Sequence, residues 1–343
     1  MRIVVTANLV PFIHGGATHH VAGVVRALEQ AGHEVELLRL PFRFSPEKDI
    51  VRAMEHATSL DLTRPNGIAV DRVISLQFPG YGIVHPQHVV WVMHQHRAVY
   101  ELYDERSATP ALKELRERVI AFDNDTLGRA NRVFANSRRV AERLQQFNGI
   151  DAAPLYHPPA QADAFRCEDA LPYVFFPSRL ESLKRQSLLI DAARLMRSPL
   201  KIVLAGDGGQ RDALAAQIRR NGVDDRVALL GHITEAEKRA FYARATAVAF
   251  PAFDEDYGYI TLEAMLSAKP VVTCTDSGGP LEFVRHDETG WIEEPDAEAL
   301  AARLDWLAEH PREAAEAGRR ARHAYRAANV SWRDVVDALT QPV

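Results

Sequence analysis

The opening of the chain alternates two hydrophobic periods, and that alternation restricts the fold more than any other feature. "RIVVTA" is an unbroken apolar run of strand length, and "THHVAGVVRALEQAG" sets Val21, Val24, Val25 and Leu28 at helical spacing. Gly32 stops that helix, and "HEVELLRL" supplies a second strand. Strand, helix, strand in this order implies a parallel pair joined by a crossover helix. Further strands are predicted at "DRVISLQ", "HVVWVMH", "RVFANS" and the weaker "APLYHP", with helices between them, one of them long and lying within 110–129. Over 157–172, "HPPAQADAFRCEDALP", the periodicity gives way to Pro and Ala. The alternation then restarts. "YVFFPS", "KIVLAG", "RVALLG", "AVAFPA" and "KPVVTC" read as strands, and "RQSLLIDAARLM", "QRDALAAQIRRNG", "EAEKRAFYARA" and a stretch near 259–268 as helices. "DETGWIEEPD" reads as a hairpin or a strand, and "VSWRDVVDAL" as a last amphipathic helix able to pack on either half.

Two doubly wound α/β halves follow, which suits a chain of 343 residues. The expected division is a first Rossmann-like domain over 1–158, a linker over 159–172, a second such domain over 173–325 and a C-terminal helix over 326–343. With 47% hydrophobic and 25% charged residues, both cores can be filled. A net charge of -5 gives no whole-chain attraction to nucleic acid. Cys167 and Cys274 are too few for a disulfide framework or a four-ligand zinc site, which suits a reducing cytoplasm. No apolar run reaches the roughly 18 residues of a membrane span.

Sheets of this kind bind ligands beyond the carboxyl ends of their strands, so two facing sheets make an interdomain cleft the expected site. Gly15 and Gly16 sit between the first strand and first helix, where bare amides and the positive helix end suit a phosphate. A tight turn explains them equally. Arg179 and Lys184 follow "YVFFPS", a fork and a point charge that suit a diphosphate or simply a solvated basic loop. Gly206 begins a second glycine-rich turn, "GDGGQ". His94 and His96 follow the fourth strand, where a histidine can share a proton with a sugar hydroxyl or be a satisfied structural group; His94 comes first after the strand and His96 is its rival. "FDEDYGYITLEAM" carries Asp254, Glu255, Asp256 and Glu263 around a helix start at Gly258 and Tyr259. Acids there suit the hydroxyls of a sugar or ribose better than a phosphate. Ile233, after "LLG", lies in a loop that could read the base or sugar.

Six stretches, "HGGATHHVAGVVRALEQAGHEV", "FPSRLESLKRQSLLIDAA", "AGDGG", "FDEDYGYITLEAM", "SAKPVV" and "SGGPLEFVRHDETGWI", come in the order found in retaining GT-B glycosyltransferases of family 4, the glycogen-synthase-like group. The chain resembles that family over nearly its whole length. The most specific element is Glu255 to Glu263, an E-x7-E motif. The resemblance implies two Rossmann-like domains facing across a cleft, with a C-terminal helix crossing back to the first, acceptor-side domain. It implies sugar transfer from a UDP- or GDP-linked donor to an acceptor hydroxyl with retention, for glycan or glycolipid synthesis, with no metal and no cofactor beyond the donor substrate. By position, Arg179 and Lys184 match the diphosphate-binding cations, Glu255 the contact to the donor sugar and Glu263 the holder of the ribose hydroxyls. Gly258, Tyr259 and Gly16 match backbone positions facing sugar or phosphates, and His94 the active-site histidine, although "HQHR" departs from the commoner pattern. The acceptor is a glycan, a lipid-linked or a small molecule, and the arginine-rich stretch 110–147 leaves peripheral membrane contact open. A nucleotide-sugar epimerase and a non-catalytic sugar-nucleotide-binding scaffold are the alternatives.

Overall fold

In the first unit the strands run as continuous apolar stretches because both faces of the sheet are covered: β3 (Arg72–Ser75) and β4 (His88–Val92) are buried at every position. The computed structural model describes residues 1–12 and 15–342, and it divides into a unit of 1–157 with 331–343 and a unit of 158–330. The first unit also holds β1 (Arg2–Leu9), α1 (Gly16–Gln30), β2 (Glu34–Pro41), α2 (Glu47–Thr58), α3 (Pro110–Gly128), β5 (Arg132–Ala135), α4 (Arg138–Asn148) and β6 (Ala153–Pro154). Its six strands are parallel in the order β2-β1-β3-β4-β5-β6. Local chemistry sets the helix ends. The Thr109 and Ser137 hydroxyls cap α3 and α4, and Gly149 ends α4 in the left-handed region. "APLYHP" yields only the two paired residues of β6, as its two prolines would lead one to expect.

The second unit comprises β7 (Tyr173–Pro177), α5 (Gln186–Leu195), β8 (Lys201–Ala205), α6 (Arg211–Asn221), β9 (Val227–Leu229), α7 (Glu235–Arg244), β10 (Ala247–Ala249), α8 (Tyr259–Leu266), β11 (Val271–Cys274), β12 (Gly290–Glu293), α9 (Ala297–Glu309) and α10 (Pro311–Ala327). Its sheet is again parallel, in the order β12-β11-β10-β7-β8-β9. "GWIE" is a parallel edge strand on β11 and no hairpin. The stretch before β7 is tied to this unit. Phe165 enters its core, Glu168 and Leu171 amides donate to Ala243 and Arg244 carbonyls, and Lys269 donates to the Glu168 carbonyl.

The amphipathic end of the chain, α11 (Trp332–Thr340), packs on α1 of the first unit. Val335, Val336 and Leu339 join the core formed by Ile3, Val5, Val21, Val24 and Leu28. Gly23 makes the close approach: a Cβ there would lie 2.2 Å from Trp332. The Arg72 guanidinium, buried at the base of β3, donates to the Leu339 and Gln341 carbonyls at 2.8 and 2.9 Å and so satisfies the end of α11.

Candidate functional site

The second sheet changes direction between β7 and β10, since the chain winds from β7 to β8 and β9 and then returns to β10, β11 and β12. Loops leaving the carboxyl ends of two such strands part in opposite directions and leave a crevice. Here the crevice is braced by backbone hydrogen bonds. Ser178 donates to Ala205 at 2.8 Å, Leu180 to Asp207 at 2.9 Å, Phe253 to Leu183 at 2.7 Å and Glu255 to Ser277 at 2.9 Å, and Gly279 donates back to Glu255 at 2.8 Å. Such approach demands glycine at two predicted positions. Gly206 has φ +133° and a Cβ there would meet the Ser178 carbonyl at 1.9 Å. Gly258 has φ +79° as the N-cap of α8, and its Cβ would press on Pro280 at 3.0 Å.

Onto this scaffold the structure brings Lys184 and Glu255 together, from the loops after β7 and β10. The Lys184 ammonium donates to Glu255 Oε2 and lies 5.7 Å from the Phe250 ring centroid. Beside it Arg185, at φ +55°, forks onto Asp276 with hydrogen bonds of 2.8 and 2.7 Å and lies over the Phe253 ring. Sequence reasoning passed over this brace, whose signal was a second cation directly after Lys184 and an aspartate in "CTDSGG". Arg179 is different. Its side chain is half exposed, 3.8 Å from Glu181, and only its carbonyl is held, by the Gln186 amide at 2.9 Å. Ile233 is half-buried and packs on the core.

Glu263 lies in the first turns of α8 and is buried. Its Oε1 accepts from Lys238 at 2.9 Å and its Oε2 from the Tyr242 hydroxyl at 2.8 Å, both from α7. Burial first, then the Glu263 charge, pushes the Tyr242 and Tyr259 phenols up, so both stay protonated donors. Burial opposes the charge on Lys238, but Glu263 and Glu235 outweigh it and hold the ammonium above its ordinary value. Neither Lys238 nor Tyr242 was singled out from the sequence, although the capping box of Thr234 and Glu237 fixes where α7 begins and hence where they fall.

In the first unit the corresponding turn of direction is at β1 and β3, and the Asn8 amide and side chain bridge to Gln77 and Phe78 at 2.8 and 2.7 Å. Gly15 caps α1 with an extended backbone, φ 177°, and Gly16 opens the helix. After β4 the two histidines separate cleanly. His96 is buried against Phe78 at 5.4 Å, and burial pulls it down to about 4. His94 is half-buried with Nδ1 2.8 Å from the Gln95 carbonyl. A carbonyl only accepts, so in neutral His94 the proton sits on Nδ1 and Nε2 carries the lone pair. His20 is a packing residue, stacked on His157 at 4.2 Å and pulled down to about 3 by burial.

Among the described residues no three His, Cys, Asp or Glu side chains are placed to hold a metal ion, and no helix is long and apolar enough to cross a membrane. A hollow of about 800 Å³ lined by Asn131, Phe134, Ile150 and Gln341 in the first unit contains none of the predicted site residues.

Residues 162–324 match the model of the family described as glycosyl transferases group 1. The D-inositol 3-phosphate glycosyltransferase of Mycobacterium avium is 28% identical over 236 residues, covering 63% of this chain and 55% of that protein. The glycogen synthase of Mycobacterium tuberculosis is 34% identical over 143 residues, 41% of this chain and 34% of that one. The chain thus spans about a third to a half of the curated relatives it matches. Among solved structures, HepE of Anabaena in complex with UDP-glucose superposes with a TM-score of 0.74 at 18% identity, covering 99% of this chain and 98% of that one. The two parallel sheets and the returning α11 are those of the GT-B fold.

Proposed function

Taking as premise that the chain belongs, through residues 162–324, to the glycosyl transferases group 1, we propose that it moves a sugar from a UDP-linked donor to an acceptor hydroxyl, with retention, in glycan or glycolipid synthesis. The observation that carries this reading is the Lys184–Glu255 pair at the crevice between β7 and β10. It sets a cation for the leaving diphosphate against a carboxylate for the sugar. An ammonium has three protons and Glu255 takes one, which leaves two for diphosphate oxygens. Arg179, with an exposed guanidinium, adds the second positive charge, and the amides at the start of α8 face the same end of the sheet. Fixed cations of this kind do the work a divalent ion does elsewhere, and the proposed reaction is metal-independent. Glu263 accepts the ribose hydroxyls. His94 Nε2, with its lone pair fixed by the Gln95 carbonyl, accepts a hydrogen bond from a sugar hydroxyl. The choice of UDP is supported by the UDP-glucose bound to HepE and not by any base contact here.

Incubation with a panel of nucleotide sugars and acceptors, followed by assay of diphosphate release, tests the reading. UDP release that depends on acceptor, unchanged by a chelator, is the expected result. Epimer formation without diphosphate release would sink it, and binding with neither would leave a scaffold.

A further inference from the structure

We propose that Lys238 is a positioning residue that holds Glu263 oriented toward the vicinal hydroxyls of the donor's ribose, and so sets the preference for a ribonucleotide over its 2′-deoxy counterpart. This rests on the proposed role of Glu263. Glu263 keeps only 10% of its side-chain surface open and Lys238 17%. Lys238 meets Oε1 at 2.9 Å, and a second 2.9 Å contact, to Glu235, holds the ammonium in place. Tyr242, fully buried, donates to Oε2 at 2.8 Å.

Each oxygen of Glu263 therefore receives one donor from α7. A carboxylate offers about four lone-pair sites, so about one stays free on each oxygen. Two neighbouring acceptor positions on one rigid group match two neighbouring O–H donors, which a ribose presents and a 2′-deoxyribose does not. The rigidity comes from α7 itself, because the Thr234–Glu237 capping box anchors the turn that carries Lys238. Without the lysine, Glu263 keeps the Tyr242 bond alone and can rotate about it.

Calorimetric binding of UDP and 2′-deoxy-UDP to the full chain tests this without an acceptor, using the wild type, Lys238→Met, Lys238→Arg and Glu263→Gln, each checked for an intact melting transition. The wild type is expected to prefer UDP about tenfold, roughly one charge-assisted hydrogen bond. Lys238→Met is expected to lose most of that preference by weakening UDP alone, and Lys238→Arg to keep it. A preserved preference in folded Lys238→Met overturns the proposal. If that variant does not fold, Lys238→Gln is read in its place. Should Glu263→Gln also keep the preference, the ribose role of Glu263 fails as well, and failure of UDP to bind the wild type rejects the donor assignment itself.

Discussion

Lys184 and Glu255, 71 residues apart in sequence, meet ammonium to carboxylate while each keeps less than a fifth of its side chain exposed. The pair joins the two loops that diverge at the crevice of the second sheet. Replacing the lysine therefore removes the charge proposed for the leaving diphosphate and leaves Glu255 without its counter-ion.

For Lys184→Ala we expect kcat to fall by about 10²-fold, the usual cost of losing one preorganised group opposite developing negative charge. The melting temperature should move by only about 3 °C, as befits a pair that water still reaches. Steady-state kinetics beside a thermal melt separates the two effects, and unchanged kinetics would remove the diphosphate role.

Gly206→Ala is a different experiment, because its cost lies in the backbone. The new Cβ would meet the Ser178 carbonyl at 1.9 Å with φ held at +133°. A loss of about 2–3 kcal/mol is expected from a residue forced where no L side chain fits. Denaturant titration measures it, and Gly209→Ala, where nothing crowds the Cβ within 4 Å, is the control.

How far the sequence discloses these features depends on how local their causes are. The strands and the helices between them follow from hydrophobic period, and so does the placement of Lys184, Glu255 and Gly206 at strand ends. The partners of Glu263 do not. Lys238 and Tyr242 sit on another helix, and only the packing of α7 against α8 brings them to the carboxylate. The two histidines show the same limit. Their spacing in "HQHR" left His94 and His96 as rivals, and the direction of each side chain, set by the turn after β4, separates a buried ring on Phe78 from a half-buried one on its neighbour's carbonyl. "APLYHP" shows the converse, a pattern of strand length in which proline leaves two paired residues.

Buried histidines give the stability a pH dependence of definite sign. His96 and His88 are each pulled down to about 4 and His20 to about 3, all chiefly by burial, against an ordinary 6.5. Between about pH 4 and 6.5 these histidines bind more protons in the unfolded chain than in the folded one, so their contribution to stability is complete above 6.5 and is lost as the pH falls toward 4. For His96 alone the loss amounts to about 3 kcal/mol at most. Urea titrations from pH 7.5 to 4.5 should show it, and His96→Phe should flatten the slope. A slope unaltered in that variant would mean His96 already carries its proton in the folded state.

Gly23 and Trp332 should behave as one unit. Gly23→Ala is expected to destabilise by about 2 kcal/mol, through a clash of 2.2 Å with the indole. Trimming the partner to Phe should recover at least about 1 kcal/mol of that in the double variant, as expected of residues in direct contact. Additive losses in the cycle would show that α11 does not lean on α1 at this point.

The return of α11 sets an order of events during synthesis. The second unit is one uninterrupted stretch, 158–330, whereas the first needs residues 331 onward to complete the core around Val335 and Leu339. On the ribosome, residues 1–157 emerge first yet must wait, with an apolar face of α1 uncovered, until everything after them has been translated. The half that starts first finishes last, so the interval in which a nascent chain needs a chaperone is set by the length of the unit inserted within it.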